Sequence, residues 1–237
     1  TAVALDSSGT VLIVADRSQH VVWRVDLALH SVWPILGTGV AGKAADSAVA
    51  STAPVFQPTD VAITADGTVY VAEAGNSRIL AIEPQARGTA PRVIVFAGRD
   101  PVGYGGDGGP PRQARLFAPQ GVAVDGDTVY IGDTGNHVVR RVAGGIIETA
   151  AGTGQRGYAG DGGPARVALL DGPTRVSRVG GLIVFSDHGN HRVRSVSLST
   201  GLVATFLGTG DSALAGDQRN AAETTTSRPE GLCAGGP

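Results

Sequence analysis

Four segments of this chain align with one another without gaps: ADRSQHVVWRV (15–25), AEAGNSRILAI (72–82), GDTGNHVVRRV (132–142) and SDHGNHRVRSV (186–196). Their acidic position falls at Asp16, Glu73, Asp133 and Asp187, at spacings of 57, 60 and 54 residues. A second element follows each: LGTG from Leu36, AGRD from Ala97, AGTG from Ala151 and LGTG from Leu207. From its first Gly to a later Pro the distance is 21 residues every time, at Gly37–Pro58, Gly98–Pro119, Gly152–Pro173 and Gly208–Pro229. Nine residues into each stretch stands an Asp: Asp46, Asp107, Asp161 and Asp217. A period of this length, kept four times, requires a fold built from repeated supersecondary units.

Within a unit the apolar residues alternate or run in fours, and clusters of Gly, Asn and Asp bound them, which is the pattern of short strands. In the third unit the strands are expected at 121–125, 128–133, 137–142 and 146–152, joined by connections of hairpin length whose residues tolerate positive φ. Four antiparallel strands per unit, repeated radially, make the blade of a β-propeller. The units run over 1–57, 58–118, 119–172 and 173–228, with 229–237 opening a further blade. The 36 Gly and 13 Pro of the 237 residues suit a chain of turns. No apolar run approaches the ~18 residues of a spanning helix. The single cysteine excludes a disulfide framework and a Cys-based zinc site within the chain, and a net charge of −2 makes it a poor generic nucleic-acid binder.

The D-x-G-N-x-R/V-V pattern and the G-T-G…G-D-G-G…P connection resemble those of NHL-repeat propellers, best at 133–142 with 152–173 and at 187–196. The resemblance covers essentially the whole chain. It implies an all-β propeller of NHL type, and it is nearly silent about activity, because that family includes scaffolds, RNA binders and adhesion proteins, with lactonases and lyases among related propellers. Most NHL propellers have six blades. This chain holds four complete units and a fifth innermost strand at its end, so it reads as a segment of a larger ring, the rest of a longer chain being absent. In such a segment Val11, Ile13, Val14, Leu202, Val203 and Phe206 are expected to lose part of their cover. The 21-residue connections and the D-x-G-N turns are expected at one face.

Residues present in every unit are most simply structural. The acidic column, and the column of Asn76, Asn136, Asn190 and Gln19, read as turn-formers whose side chains bond nearby backbone N–H groups. The loop aspartates read as braces, since an EF-hand loop with oxygen ligands spaced by two and a terminal Glu is not present. His20, His137 and His191 share one column with Ser77. Blades stand on the order of 10 Å apart, whereas Zn–N bonds are ~2.0 Å, so these imidazoles cannot share an ion. A hydrogen bond to the adjacent blade is the simpler role. No metal site and no cofactor are expected.

Departures from the repeat are more informative. Arg178 occupies the inward slot held elsewhere by Leu5, Ile63, Val124 and Ala234, and Arg175 replaces Asp60, Gly121 and Gly231, so two guanidiniums should flank the axial channel in one blade. Cys233 falls in the small-residue column of Ala4, Ala62, Ala123 and Ser177. Residues 137–197 carry 8 basic and 4 acidic groups, against 9 and 13 in residues 1–136. Arg140, Arg141, Arg192 and Arg194 lie on equivalent strands and suggest a basic stripe, with a solvated outer strand as the alternative. The candidate binding residues are therefore these four, Arg175, Arg178, and His20, His137 and His191. The leading functional expectation is a non-catalytic scaffold that docks a protein partner within a larger protein or assembly. A lactonase- or lyase-type propeller enzyme and single-stranded RNA binding through the Arg-rich blades are the alternatives. No nucleophile–base pair is evident, so no catalytic residue is assigned.

Overall fold

A computed structural model describes residues 2–84, 89–212 and 220–232. Asp217, Cys233 and Ala234, and with them the end of the fifth innermost strand, lie outside the described residues. The first blade contains β1 (Ala2–Leu5), β2 (Val11–Asp16), β3 (Val21–Asp26) and β4 (Ser31–Leu36). A two-residue strand, β5 (Ala48–Val49), precedes the second blade of β6 (Pro58–Ile63), β7 (Val69–Glu73), β8 (Arg78–Ile82) and β9 (Arg92–Ala97). The third is β10 (Gly121–Asp125), β11 (Thr128–Asp133), β12 (Val138–Ala143) and β13 (Ile146–Ala151). The fourth is β14 (Pro173–Val179), β15 (Leu182–Asp187), β16 (Arg192–Ser197) and β17 (Val203–Leu207). Every blade is an antiparallel meander in sequence order. Among the described residues the only helices are single 3-10 turns, and none is long and apolar enough to cross a membrane.

The innermost strands pack in the order β1, β6, β10, β14, so the blades fan out around one axis. Three apolar cores fill the three gaps between consecutive blades. Ile13, Val22 and Leu36 meet Val61, Val71 and Leu80 in the first gap, and Ile79 meets Leu116 and Ile131 in the second. Val139, Leu170 and Phe185 meet in the third. Among the described residues β14 and β1 do not pack on each other as consecutive inner strands do, and the four blades form an open arc.

The expectation for the residues facing the opening is corrected in part. Val11, Ile13 and Val203 are buried, because their faces point into the gaps between blades, whereas Leu202 and Phe206 are exposed. The uncovered apolar residues near the axis are Val3 and Leu5 instead, 61% and 52% exposed.

Both ends of each connection lie at the D-x-G-N face, as expected. Gly135 N–H donates to Phe117 O, and Gly189 N–H to Asp171 O. The middle of the connection differs: it runs between the blades and hydrogen-bonds the outermost strand of the next one. Ala48 pairs with Val93, Gly109 with Ile147, and Pro164 with Leu202. This pairing satisfies edge N–H and C=O groups that would otherwise be left bare.

Close approach explains the glycine of the turn. A Cβ on Gly135 would stand 2.5 Å from the Phe117 ring, and one on Gly75 would stand 2.4 Å from Phe56. The next residue but one must adopt the left-handed conformation: φ is +54° at His20, +53° at Ser77, +55° at His137 and +53° at His191. His137 therefore ends the turn rather than starting β12, one residue later than the expected strand boundary.

Candidate functional site

Each left-handed residue uses its side chain to hold the connection that leads to the next blade. His20 Nδ1 accepts from Gln57 N–H at 3.2 Å, His137 Nδ1 from Gly172 N–H at 3.0 Å and His191 Nδ1 from Arg228 N–H at 3.1 Å. Ser77 Oγ does the same for Ala118 N–H at 3.0 Å. The column suggested a bond to the adjacent blade; its partners are instead the last residues of each unit's own connection, one step before the next blade begins. His137→Ala leaves the Gly172 N–H unpaired and is expected to cost about 1–3 kcal/mol, read by urea unfolding at neutral pH.

The acidic column does more than form turns. Asp133 is fully buried; its Oδ1 accepts from Phe117 N–H at 2.8 Å and its Oδ2 from Asn136 Nδ2 at 2.8 Å. Arg140, equally buried, bridges Asp133 at 3.4 Å and the loop aspartate Asp107 at 2.5 Å. The fourth blade repeats this arrangement with Asp187, Asn190, Arg194 and Asp161. Tyr104 and Tyr158 lie over the guanidiniums of Arg140 and Arg194, 5.3 and 5.2 Å away. In the second blade Leu80 fills the corresponding slot, and Arg78 reaches the longer acid, Glu73, from a position two residues earlier.

Arg140 and Arg194 are thus interior braces, and the four arginines form no basic stripe on the surface. Burial of a guanidinium here is tolerable because carboxylates and carbonyls meet most of its donors, Arg140 Nε being left without a partner among the described residues. Arg141 remains half-exposed on β12, and Arg192 packs 3.8 Å from the Tyr158 ring while donating to Asn190 O at 3.0 Å.

Burial pushes the carboxyls of Asp133 and Asp187 up to about 6, against the pull of the Asn, backbone N–H and Arg donors. A folded value above the ordinary 3.8 means that the fold holds the proton more tightly than the unfolded chain. Each group's contribution to stability therefore falls as pH rises from about 4 to about 6 and is level above that. For Asp161 burial also raises the carboxyl, but bonds from Thr205, Arg194 and Tyr158 outweigh it and leave it below the usual range. Carboxyl 13C shifts should show Asp133 and Asp187 titrating near 6 and Asp161 below 3.8.

The inner strands and the adjoining turns enclose an axial groove of about 1720 Å³. Leu5, Ile63, Val124 and Arg178 all line it, in the inward slot expected from the repeat. Arg178 Nε bonds the Asp125 carboxylate of the preceding blade at 3.0 Å. Arg175 reaches past Gly121 to pair with Asp60 at 2.5 Å, which ties β14 to β6 across the intervening strand. Gly121 permits that approach, because a Cβ there would lie 2.0 Å from Thr174 O. Burial raises the Asp60 carboxyl, while Arg175 and the N–H groups of Val122 and Val61 pull it the other way.

At the D-x-G-N end of the groove, Arg156 pairs with Asp171 at 2.9 Å, and His188 Nε2 stands 3.6 Å from Glu230. Arg17 and Arg228 line the same end, are exposed, and have no side-chain partner among the described residues. Sequence reasoning did not single out either of them; Arg17 takes the second position of the first turn, held elsewhere by Ala74, Thr134 and His188, and Arg228 precedes Pro229. Among the described residues no group of three His, Cys, Asp or Glu side chains is placed to hold a metal ion.

Four-stranded antiparallel blades fanned about one axis define a β-propeller, and the NHL repeat model matches residues 57–82, in the second blade of this chain. It is similar to NHL repeat-containing protein 2 of Homo sapiens, 24% identical over 254 positions that cover 95% of this chain and 35% of that protein. Among solved structures it resembles an auxiliary nutrient binding protein from Bacteroides thetaiotaomicron, with 18% identity and a TM-score of 0.61, over 86% of this chain and 47% of the other. It also resembles virginiamycin B lyase from Staphylococcus aureus, with 12% identity and a TM-score of 0.52, over 86% and 54% of the two chains. The chain spans about a third of the length of the curated relative and about half of these structures.

Proposed function

We propose that this chain is a non-catalytic propeller platform that docks a protein partner in its axial groove. The observation that carries this reading is the exposure of Val3 and Leu5, large apolar side chains facing a groove too wide for a typical small ligand. Pockets that bury a drug-sized molecule run to ~300–1,000 Å³. The inner charges that distinguish the fourth blade, Arg175 and Arg178, are engaged with Asp60 and Asp125 and act as ties between blades. The alternative of RNA stacking finds little support in the aromatics of blades three and four. Tyr130 and Phe185 are buried; of the two exposed rings, Tyr158 is occupied by Arg192, which leaves Phe206. The larger ring and the rest of a longer chain belong to the same proposal, because a ring of more blades would give the groove its second wall.

A photo-crosslinking residue placed at Val3 or Leu5 in cells tests the reading. The expected result is a discrete protein adduct from these positions and none from the same residue at Val32, on the outer strand β4. Adducts only from Val32, or turnover of a lactone by the purified chain, would overturn it.

A further inference from the structure

The groove is electrically polar along its length. At the end away from the D-x-G-N turns, Asp6 lines it, its carboxylate held ionised by Ser8 Oγ and by the N–H groups of Val11 and Thr10. Arg178 at that end is neutralised by Asp125. At the other end Arg156 and Arg175 are each matched by one carboxylate and the exposed Glu230 stands near His188, so Arg17 on one flank and Arg228 on the other have no side-chain partner among the described residues and cations outnumber carboxylates there. The apolar side chains of the wall are Val3, Leu5, Ile63, Val124 and Val176, the middle three in the same slot as Arg178.

Resting on the docking reading above, we infer that the occupant is an extended peptide segment of a partner protein, apolar along its length and carrying carboxylates where it meets Arg17 and Arg228. The argument is charge complementarity. Guanidinium forks select planar anions such as carboxylates, and charges at the rim of an interface set partner choice and approach rate more than they set total affinity. A basic segment would meet two unpaired cations at the mouth, and a wholly polar one would leave the apolar wall wet.

Fluorescence anisotropy with short labelled peptides of alternating Leu and Glu, and of alternating Leu and Lys, tests the inference on the full chain. The acidic peptide should bind more tightly than the basic one, with an affinity that falls as salt is raised. Because both arginines are exposed, Arg17→Glu and Arg228→Glu should leave the fold intact by circular dichroism. Each should weaken the acidic peptide about three- to tenfold, a range matching one lost exposed ion pair plus a new repulsion. Equal binding of the two peptides, or no binding of either, would overturn the acidic assignment; the docking reading itself stands or falls on the crosslinks at Val3 and Leu5. Preferential binding of single-stranded RNA that is lost in the same two variants would overturn it in favour of a nucleic-acid partner.

Discussion

Asp133→Ala is expected to destabilise the chain by about 3–5 kcal/mol, because it orphans buried donors and takes from the fully buried Arg140 one of its two carboxylates, the other being Asp107. The same substitution also leaves Phe117 N–H and Asn136 Nδ2 without their acceptor, which detaches the second connection from the third blade's turn. Asp133→Asn should cost less, about 1–3 kcal/mol. The amide keeps an oxygen for Phe117 N–H and Asp107 still holds Arg140, but its NH2 faces the Asn136 N–H that Asp133 Oδ2 accepted. Asp16→Ala supplies the contrast within the same column. Asp16 is half-exposed and, among the described residues, accepts only from Ser18 and Gln19 in its own turn. Its loss should cost about 0.5–2 kcal/mol, like that of any local cap. Urea denaturation of the three variants at neutral pH ranks them, and equal losses for Asp16→Ala and Asp133→Ala would remove the anchoring role.

Gly121→Ala is expected to have the second large effect. Its Cβ would stand 2.0 Å from Thr174 O, a backbone atom that cannot rotate away, so β10 and β14 must separate. Overpacking of this kind costs about 1–3 kcal/mol, and the separation also loosens the Arg175–Asp60 tie that spans this strand. Gly181→Ala is the control: nothing lies within 4 Å of its added Cβ and its φ is not positive. Thermal melts of both variants distinguish a steric contact from a general intolerance of alanine in turns.

The blades were legible because each unit repeats its strands and turns at nearly fixed spacing, and alternation of apolar residues is a local signal. The 21-residue intervals and the His column also pointed to the bonds that hold each connection, since both recur, although these bonds stay within the unit. The arginine braces were not legible in the same way. A polar residue in an alternating strand reads as solvent-facing, yet Arg140 faces a loop that arrives from 33 residues earlier in the chain. The pairing was recoverable only by noticing that units three and four carry both an Arg seven residues after the acid and an Asp 33 residues before that Arg, while unit two has Leu80 there. Arg175 was identified as a departure, but its tie to Asp60 depends on Gly121 having no side chain to block it, which is a relation among three blades. The exposure of Val3 and Leu5 depends on the openness of the arc, which no single strand encodes.

The central claim is that the axial groove, rather than the outer strands, is the docking surface. Amide hydrogen exchange of the chain with and without the partner captured by crosslinking tests it most directly. The account predicts slowed exchange at residues 2–5 on β1 and around Arg175 on β14, with β4 and β17 unchanged. Protection confined to β4 or β17, with the inner strands exchanging as in the free chain, would contradict it.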